Sequence, residues 1–191
     1  MKAIFASFVL SFVLTIPLFS QQKYERETRI EEREVPEKAL EFIQSLSLFS
    51  KVKWYKETGL NSSSFEAKAK HKGKKYSIEF GTTGMLEDIE ILTKQREIPT
   101  PTLKKIQQQL QKSLLKYRIE KIQIQYSGDP VSLKKKIISN ENSQGLTTRY
   151  ELIVSAKKNG KYQQFEYLFS NDGNFLQQSN IVLKNTDNLE Y

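Results

Sequence analysis

The chain of 191 residues has no cysteine and a single histidine, His71. Without thiols there is no disulfide, no cysteine nucleophile and no cysteine to carry a lipid anchor. A zinc site would have to be built mostly from carboxylates, against that ion's preference for nitrogen and sulfur. His71 stands among lysines in AKHKGKKY, a hairpin tip where positive neighbours oppose both a cation and a general base. Glycine is also scarce, at 8 residues. None of it forms a phosphate-binding loop after a strand, and no serine stands in a nucleophile elbow. No nucleophile, acid–base pair or metal set emerges, so the chain reads as a non-enzyme with no cofactor and no metal.

Long apolar runs are confined to the start. MKAIFASFVLSFVLTIPLFS has one lysine, an uncharged apolar stretch, Pro17 and Ser20. That is the build of a secretory signal peptide over residues 1–20, cleaved near Ser20. The rival is a retained membrane anchor. The stretch Ala3 to Phe19 sits near the lower limit of the roughly 17–25 residues a spanning helix needs. It is interrupted by Ser7, Ser11, Thr15 and Pro17, which favours the cleaved signal. The expected location is the periplasm or the outside of the cell.

Charge is plentiful, with 30 Lys+Arg against 22 Asp+Glu and a net +8. Only Lys2 falls within the signal, so residues 21–191 carry +7. A basic exported chain is drawn to acidic proteins and anionic polymers, and is also simply soluble. Residues 21–34, QQKYERETRIEERE, mix both signs with only Tyr24 and Ile30 as large apolar or aromatic residues. They read as a solvated leader, or at most an edge strand.

Hydrophobic periodicity then writes one pattern twice. Val35-Pro36 opens a helix carrying Ala39, Leu40, Ile43 and Leu46 at helical spacing. The period changes to two at Val52 and Trp54, then at Phe65, Ala67 and Ala69, then at Tyr76, Ile78 and Phe80, and last at Met85, Ile89 and Ile91. Ile98-Pro99 begins the second round, with Thr100 as cap, Pro101 at the first helical position and a stripe of Leu103, Ile106, Leu110 and Leu114. Alternating strands follow around Ile122, Tyr150, Phe165 and Leu176–Val182, with hairpin turns at Asn159-Gly160 and Asp172-Gly173.

The expected fold is therefore α+β: two tandem units, each one helix packed on a four-stranded antiparallel sheet, which could join into one continuous eight-stranded sheet. Unit 1 spans 35–94 and unit 2 spans 95–183, with a tail at 184–191. Unit 2 carries an insertion at 127–147 in which Asp129 caps a short helix opened by Pro130.

The order Val-Pro, helix, strands, then Ser170-Asn171-Asp172-Gly173-Asn174-Phe175-Leu176 before the last strand resembles the PepSY-like unit. Two units in tandem resemble the beta-lactamase-inhibitor-like group of exported bacterial proteins. Unit 1 departs from the pattern, with Thr83 where unit 2 has Asp172. PepSY units occur in propeptides that inhibit their own metalloproteases. In the inhibitor of related architecture, two units join sheets into one concave surface that grips an enzyme. The resemblance implies a module that holds an exported or envelope protein. No contact residue of that inhibitor has a match here.

The candidate binding surface is the sheet face away from the helices. Alternation assigns to it Lys53, Tyr55, Lys68, Lys70, Arg149, Glu151, Ile153, Lys157, Gln164, Glu166 and Leu168. Trp54 is phased into the core. Of the acidic run Glu87-Asp88-Ile89-Glu90, Asp88 and Glu90 share a face, and the run reads as a solvated strand. Asn171-Asp172-Gly173-Asn174 lacks the remaining ligands of a calcium loop and reads as a hairpin turn. The first functional expectation is an exported, non-catalytic protein-binding or inhibitory module. The second is a basic binder of cell-envelope polyanions through Lys68, Lys70, Lys72, Lys74, Lys75 and the insertion lysines 134–136. Nucleic acid is not expected, since no recognition motif is present.

Overall fold

The structure is a computed structural model, which describes residues 21–23, 26–59, 62–141, 144–158 and 160–181. The signal segment, Asn159, Val182 and the tail 184–191 lie outside the described residues. The chain runs β1 (Gln21–Lys23), β2 (Arg26–Ile30), α1 (Glu37–Leu46), β3 (Val52–Thr58), β4 (Ser63–His71), β5 (Lys74–Gly81), β6 (Leu86–Leu92) and α2 (Thr100–Ser113). It continues β7 (Tyr117–Ser127), α3 (Pro130–Ser139), β8 (Thr147–Lys158), β9 (Lys161–Ser170) and β10 (Phe175–Ile181).

All ten strands belong to one sheet, ordered β1-β10-β9-β8-β7-β6-β5-β4-β3-β2. Every neighbouring pair is antiparallel except β1 with β10. This corrects the expectation of two units, each with one helix on its own four-stranded sheet. β6 pairs directly with β7, Ile89 opposite Tyr126 and Ile91 opposite Ile124, so the sheet runs unbroken through the expected boundary. The leader supplies both edge strands, and the insertion supplies a third helix. The leader reads as at most one edge strand and the insertion already shows its short helix; the additional edge strand is silent because edge strands need no apolar alternation, and β2 is exposed at four of its five residues.

The two edge strands are consecutive in the chain. In a flat sheet with strands about 4.8 Å apart, β1 and β2 would lie about 43 Å from each other. Lys23 and Arg26 are three peptide units apart, so their Cα atoms are separated by no more than about 11 Å. The sheet therefore curls until its two edges meet at the N-terminal segment. A helix with its side chains is about 10–12 Å across, so three of them cannot sit inside such a curl. The helices clothe the convex face, and the polar face is concave.

The convex face carries the core in two clusters. Ala39, Ile43 and Leu46 of α1 pack on Trp54, Ala67, Ile78 and Phe80. Ile106 and Leu110 of α2 pack on Leu152, Val154, Phe165, Tyr167 and Phe169. Trp54 is buried, its ring 5.9 Å from that of Phe80. α3 adds Leu133 and Ile137 to the first cluster, beside Tyr126 and Leu146. Asp129 Oδ1 accepts from the backbone N–H groups of Val131 and Ser132 at 3.1 and 3.0 Å, capping α3 as its sequence requires.

Two turns pin helices to the sheet in the same way. Gly84 and Gly173 end the turns before β6 and β10, with φ of +77° and +78°. Their N–H groups donate to Gly81 O and Ser170 O at 2.8 and 2.9 Å. Each lies under the first turn of a helix. A Cβ on Gly84 would stand 2.9 Å from Pro36 Cβ, and one on Gly173 would stand 2.6 Å from Thr102 O. Glycine is required at both places for backbone conformation and for closeness of approach.

Candidate binding face

Register and alternation put all eleven residues assigned from sequence on the concave, helix-free face. The pairs Lys53–Lys68 and Tyr55–Glu66 lie across β3 and β4. Arg149–Ser170, Glu151–Leu168, Ile153–Glu166, Ser155–Gln164 and Lys157–Tyr162 lie across β8 and β9. Among the eleven, Lys53, Tyr55, Lys68 and Lys70 of β3 and β4 line a defined groove. That groove, of about 760 Å³, brings together Lys51, Lys53, Lys68, Lys70, Lys75 and Lys121, with Tyr55 among them. No carboxylate is among its lining residues. Arg149, Glu151, Ile153, Lys157, Gln164, Glu166 and Leu168 lie elsewhere on the face.

Sequence reasoning missed Lys51 and Lys121 because neither sits in the interior of a clean alternating run. Lys51 precedes β3. Lys121 follows an irregular register between Ile119 and Lys121 that shifts the phase of β7. Lys75 faces the groove opposite Lys70.

Lys68 anchors the groove wall. Its Nζ donates to Glu27 Oε2 at 2.6 Å and lies 3.0 Å from Glu66 Oε2. It also stands 4.8 Å from the centre of the Tyr55 ring, a cation–π contact. Burial pushes the ammonium pKa down, but the bonds and charges of Glu27 and Glu66 outweigh it, and the pKa lies above the ordinary lysine value. Lys68 is thereby engaged in structure, while Lys53, Lys70 and Lys75 stay exposed on the groove.

Where Gln123 closes the groove, the middle of the face is acidic and enclosed. Glu66, Glu90, Gln123 and Glu151 are buried although no helix covers them, as the curl of the sheet requires. This corrects the reading of Asp88 and Glu90 as a solvated strand, since Glu90 is 5% exposed. Gln123 Nε2 donates to Glu90 Oε2 at 2.5 Å and Gln125 Nε2 to Asp88 Oδ2 at 3.2 Å. Burial foremost, then the carboxylates of Glu151, Glu79 and Asp88, holds the Glu90 pKa well above the ordinary carboxylate range.

The remaining candidates separate. His71 closes β4 half-buried, its ring edge-on to Phe49 at 6.4 Å, and the hairpin tip is Lys72-Gly73. Lys74 lies near Lys136 of α3, which feels its charge. The insertion lysines ride on α3 over the convex face and do not join the groove. Among the described residues, no helix is long and apolar enough to cross a membrane.

No family model matches the chain, and no curated protein matches it. Among solved structures it is similar to a BLIP-like protein from Bacteroides fragilis, with 13% identity over 82% of this chain and 92% of that one, at a TM-score of 0.48. It is also similar to a DUF2874 family protein from Bacteroides ovatus, with 7% identity over 76% and 87% of the two chains, at a TM-score of 0.49. At such identities and scores nothing about a ligand passes from them to this chain, and the PepSY-like tandem stays a resemblance.

Proposed function

We propose that the protein is an exported, non-catalytic binding module that takes an acidic segment of a partner protein into the lysine groove of its concave face. The observation that carries this reading is the groove itself, with six lysines and an aromatic ring and no carboxylate among its lining residues. Such a concentration of one charge in a concavity focuses the field and raises the local concentration of anions. Tyr55 offers the rigid aromatic contact that anchors interfaces. A defined groove with a shaped wall suits an extended acidic peptide.

A second reading, an envelope polyanion in place of a protein, is favoured by the same lysines. It loses the insertion lysines 134–136, which lie on the other face. Salt separates the two. Phosphate-rich polymers gain much of their affinity from counterion release and weaken steeply with salt, whereas a peptide seated on Tyr55 retains affinity.

The test is fluorescence anisotropy of residues 21–191 with a labelled glutamate-rich peptide and with labelled polyphosphate, at low and high salt. A peptide that stays bound at high salt, and is lost in the Lys70→Glu/Lys75→Glu double variant, supports the protein-binding reading. Polyphosphate binding that collapses with salt, with no peptide binding, would replace it by the second. Binding of neither probe, or binding that the double variant leaves unchanged, overturns the groove as the site.

A further inference from the structure

Two apolar side chains project at the end of the sheet where α2 leads into β7 and β8 turns into β9. Leu115, in the link after α2, is fully exposed, and Tyr162, near the start of β9, is 83% exposed. The register brings the two segments together. Tyr117 stands opposite Ala156 of β8, and Ala156 stands opposite Gln163 of β9. Two strand spacings, about 10 Å, therefore separate Tyr117 from Gln163. Leu115 leaves the helix layer, while Tyr162 lies opposite Lys157 on the concave face, so the pair flanks the end of the sheet. A surface that approaches end-on meets both.

Single exposed apolar side chains are ordinary, and it is the surroundings that distinguish this pair. Lys112, Lys116, Lys157, Lys158 and Lys161 are all exposed. Residues 111–119 and 156–165 contain no aspartate or glutamate. The next carboxylate along the chain, Glu120, is held by Arg118 at 2.7 Å. None of the five lysines lines the groove. Ammonium groups on long apolar stems reach anionic headgroups, a tyrosine ring settles at headgroup level, and a leucine enters the acyl boundary. A rigid protein partner would have to offer a recess cut for the projecting leucine, whereas a fluid lipid surface opens one wherever it lands.

We propose that this end of the molecule docks on an anionic phospholipid bilayer, with Leu115 and Tyr162 entering the interface and the five lysines held by the headgroups. The attraction comes from the negative surface potential of the lipid, which acts on each basic side chain near it. The apolar pair adds burial that salt does not screen. Docking in this way is independent of what the groove holds.

The experiment is titration of residues 21–191 with lipid vesicles at physiological salt, read by co-sedimentation. Residues 1–20 are omitted because an apolar segment binds lipid by itself. One set of vesicles has equal parts of phosphatidylglycerol and phosphatidylcholine, and the other has phosphatidylcholine alone. Binding is expected to the first and not to the second. Lys158→Gln/Lys161→Gln should weaken it about 25-fold, at roughly fivefold for each lysine near an anionic surface. Lys104→Gln/Lys105→Gln removes the same charge about 15 Å back along α2, beyond the screening length of about 8 Å, and should leave binding nearly unchanged. Leu115→Ser/Tyr162→Ser keeps every charge and should weaken binding about tenfold. All these side chains are exposed, so the variants keep the fold, which circular dichroism checks. Tyr162→Trp should shift its emission to the blue on the anionic vesicles, over a constant contribution from buried Trp54. No binding to the anionic vesicles overturns the proposal. Equal losses from the two lysine pairs overturn this end as the docking site. A Leu115→Ser/Tyr162→Ser variant that binds as tightly as the parent, or a Tyr162→Trp emission that does not move, overturns entry of the apolar pair.

Discussion

Replacing Gly173 by alanine, with Gly73 as its control, measures how tightly the sheet is locked to its helices. The two glycines share a backbone conformation, φ of +78° and +77°. They differ in what a methyl group would meet. At Gly73 nothing lies within 4 Å, whereas at Gly173 the new carbon would stand 2.6 Å from the carbonyl oxygen of Thr102 and 3.2 Å from Lys105 Cβ. Left-handed backbone costs an alanine about 1–2 kcal/mol in both variants. Only Gly173→Ala adds forced separation of packed backbone, another ~1–3 kcal/mol. Gly73→Ala is thus expected to cost about 1 kcal/mol and Gly173→Ala about 3 kcal/mol. For a chain of this size each kcal/mol lowers the Tm by about 2–4 °C. Urea unfolding followed by Trp54 fluorescence reads both, at unchanged m. Gly84→Ala, 2.9 Å from Pro36 Cβ, should behave like Gly173→Ala. Equal losses at Gly73 and Gly173 would refute the close packing of turn under helix.

Four further outcomes are expected. Leu133→Ala, which empties a fully buried site on α3, should cost about 2–5 kcal/mol and show the insertion helix to be part of the core. Lys68→Met strips the ammonium from buried Glu66. Because the lysine side chain is 36% exposed, screening limits the loss to about 1–2 kcal/mol, and adding Glu66→Gln should restore most of it. Native stability should fall as pH rises above the unfolded carboxylate range. The unfolded chain then releases the Glu90 proton while the folded chain, whose pKa is raised by burial and neighbouring carboxylates, retains it. The fall is at most about 1.4 kcal/mol per pH unit, present until the folded group ionises, and Glu90→Gln should flatten it; an unchanged slope refutes the assignment. Asp129→Ala, removing the two cap bonds of α3, should lower the Tm by a few degrees.

Periodicity exposed the helices and most strands because their burial is one-sided. Ile106 and Leu110, or Phe165, Tyr167 and Phe169, fall on the core face with no exception. The same logic sorted Lys53, Tyr55, Lys68 and Lys70 onto the polar face. What it lacked was curvature. A pleated strand has one buried face in a flat sheet, so Glu90 and Glu151 looked solvated. Curling encloses the second face as well, and that depends on β1 and β2 meeting opposite edges, a long-range fact with no local signature. The join of β6 to β7 was equally silent, since any two exposed edges are chemically alike.

The pairing of Gln21 with Ser179 ties the first described residue to nearly the last. Contacts of such sequence separation form late, because loop closure must be met before they give any return. Until β1 is in place, the outer edge of β10 is an open row of backbone donors and acceptors, able to accept a strand from another chain. The N-terminal segment that completes the ring is therefore a kinetic safeguard. A chain missing residues 21–23 should still assemble its two cores, yet refold with a greater tendency to associate edge to edge at high concentration.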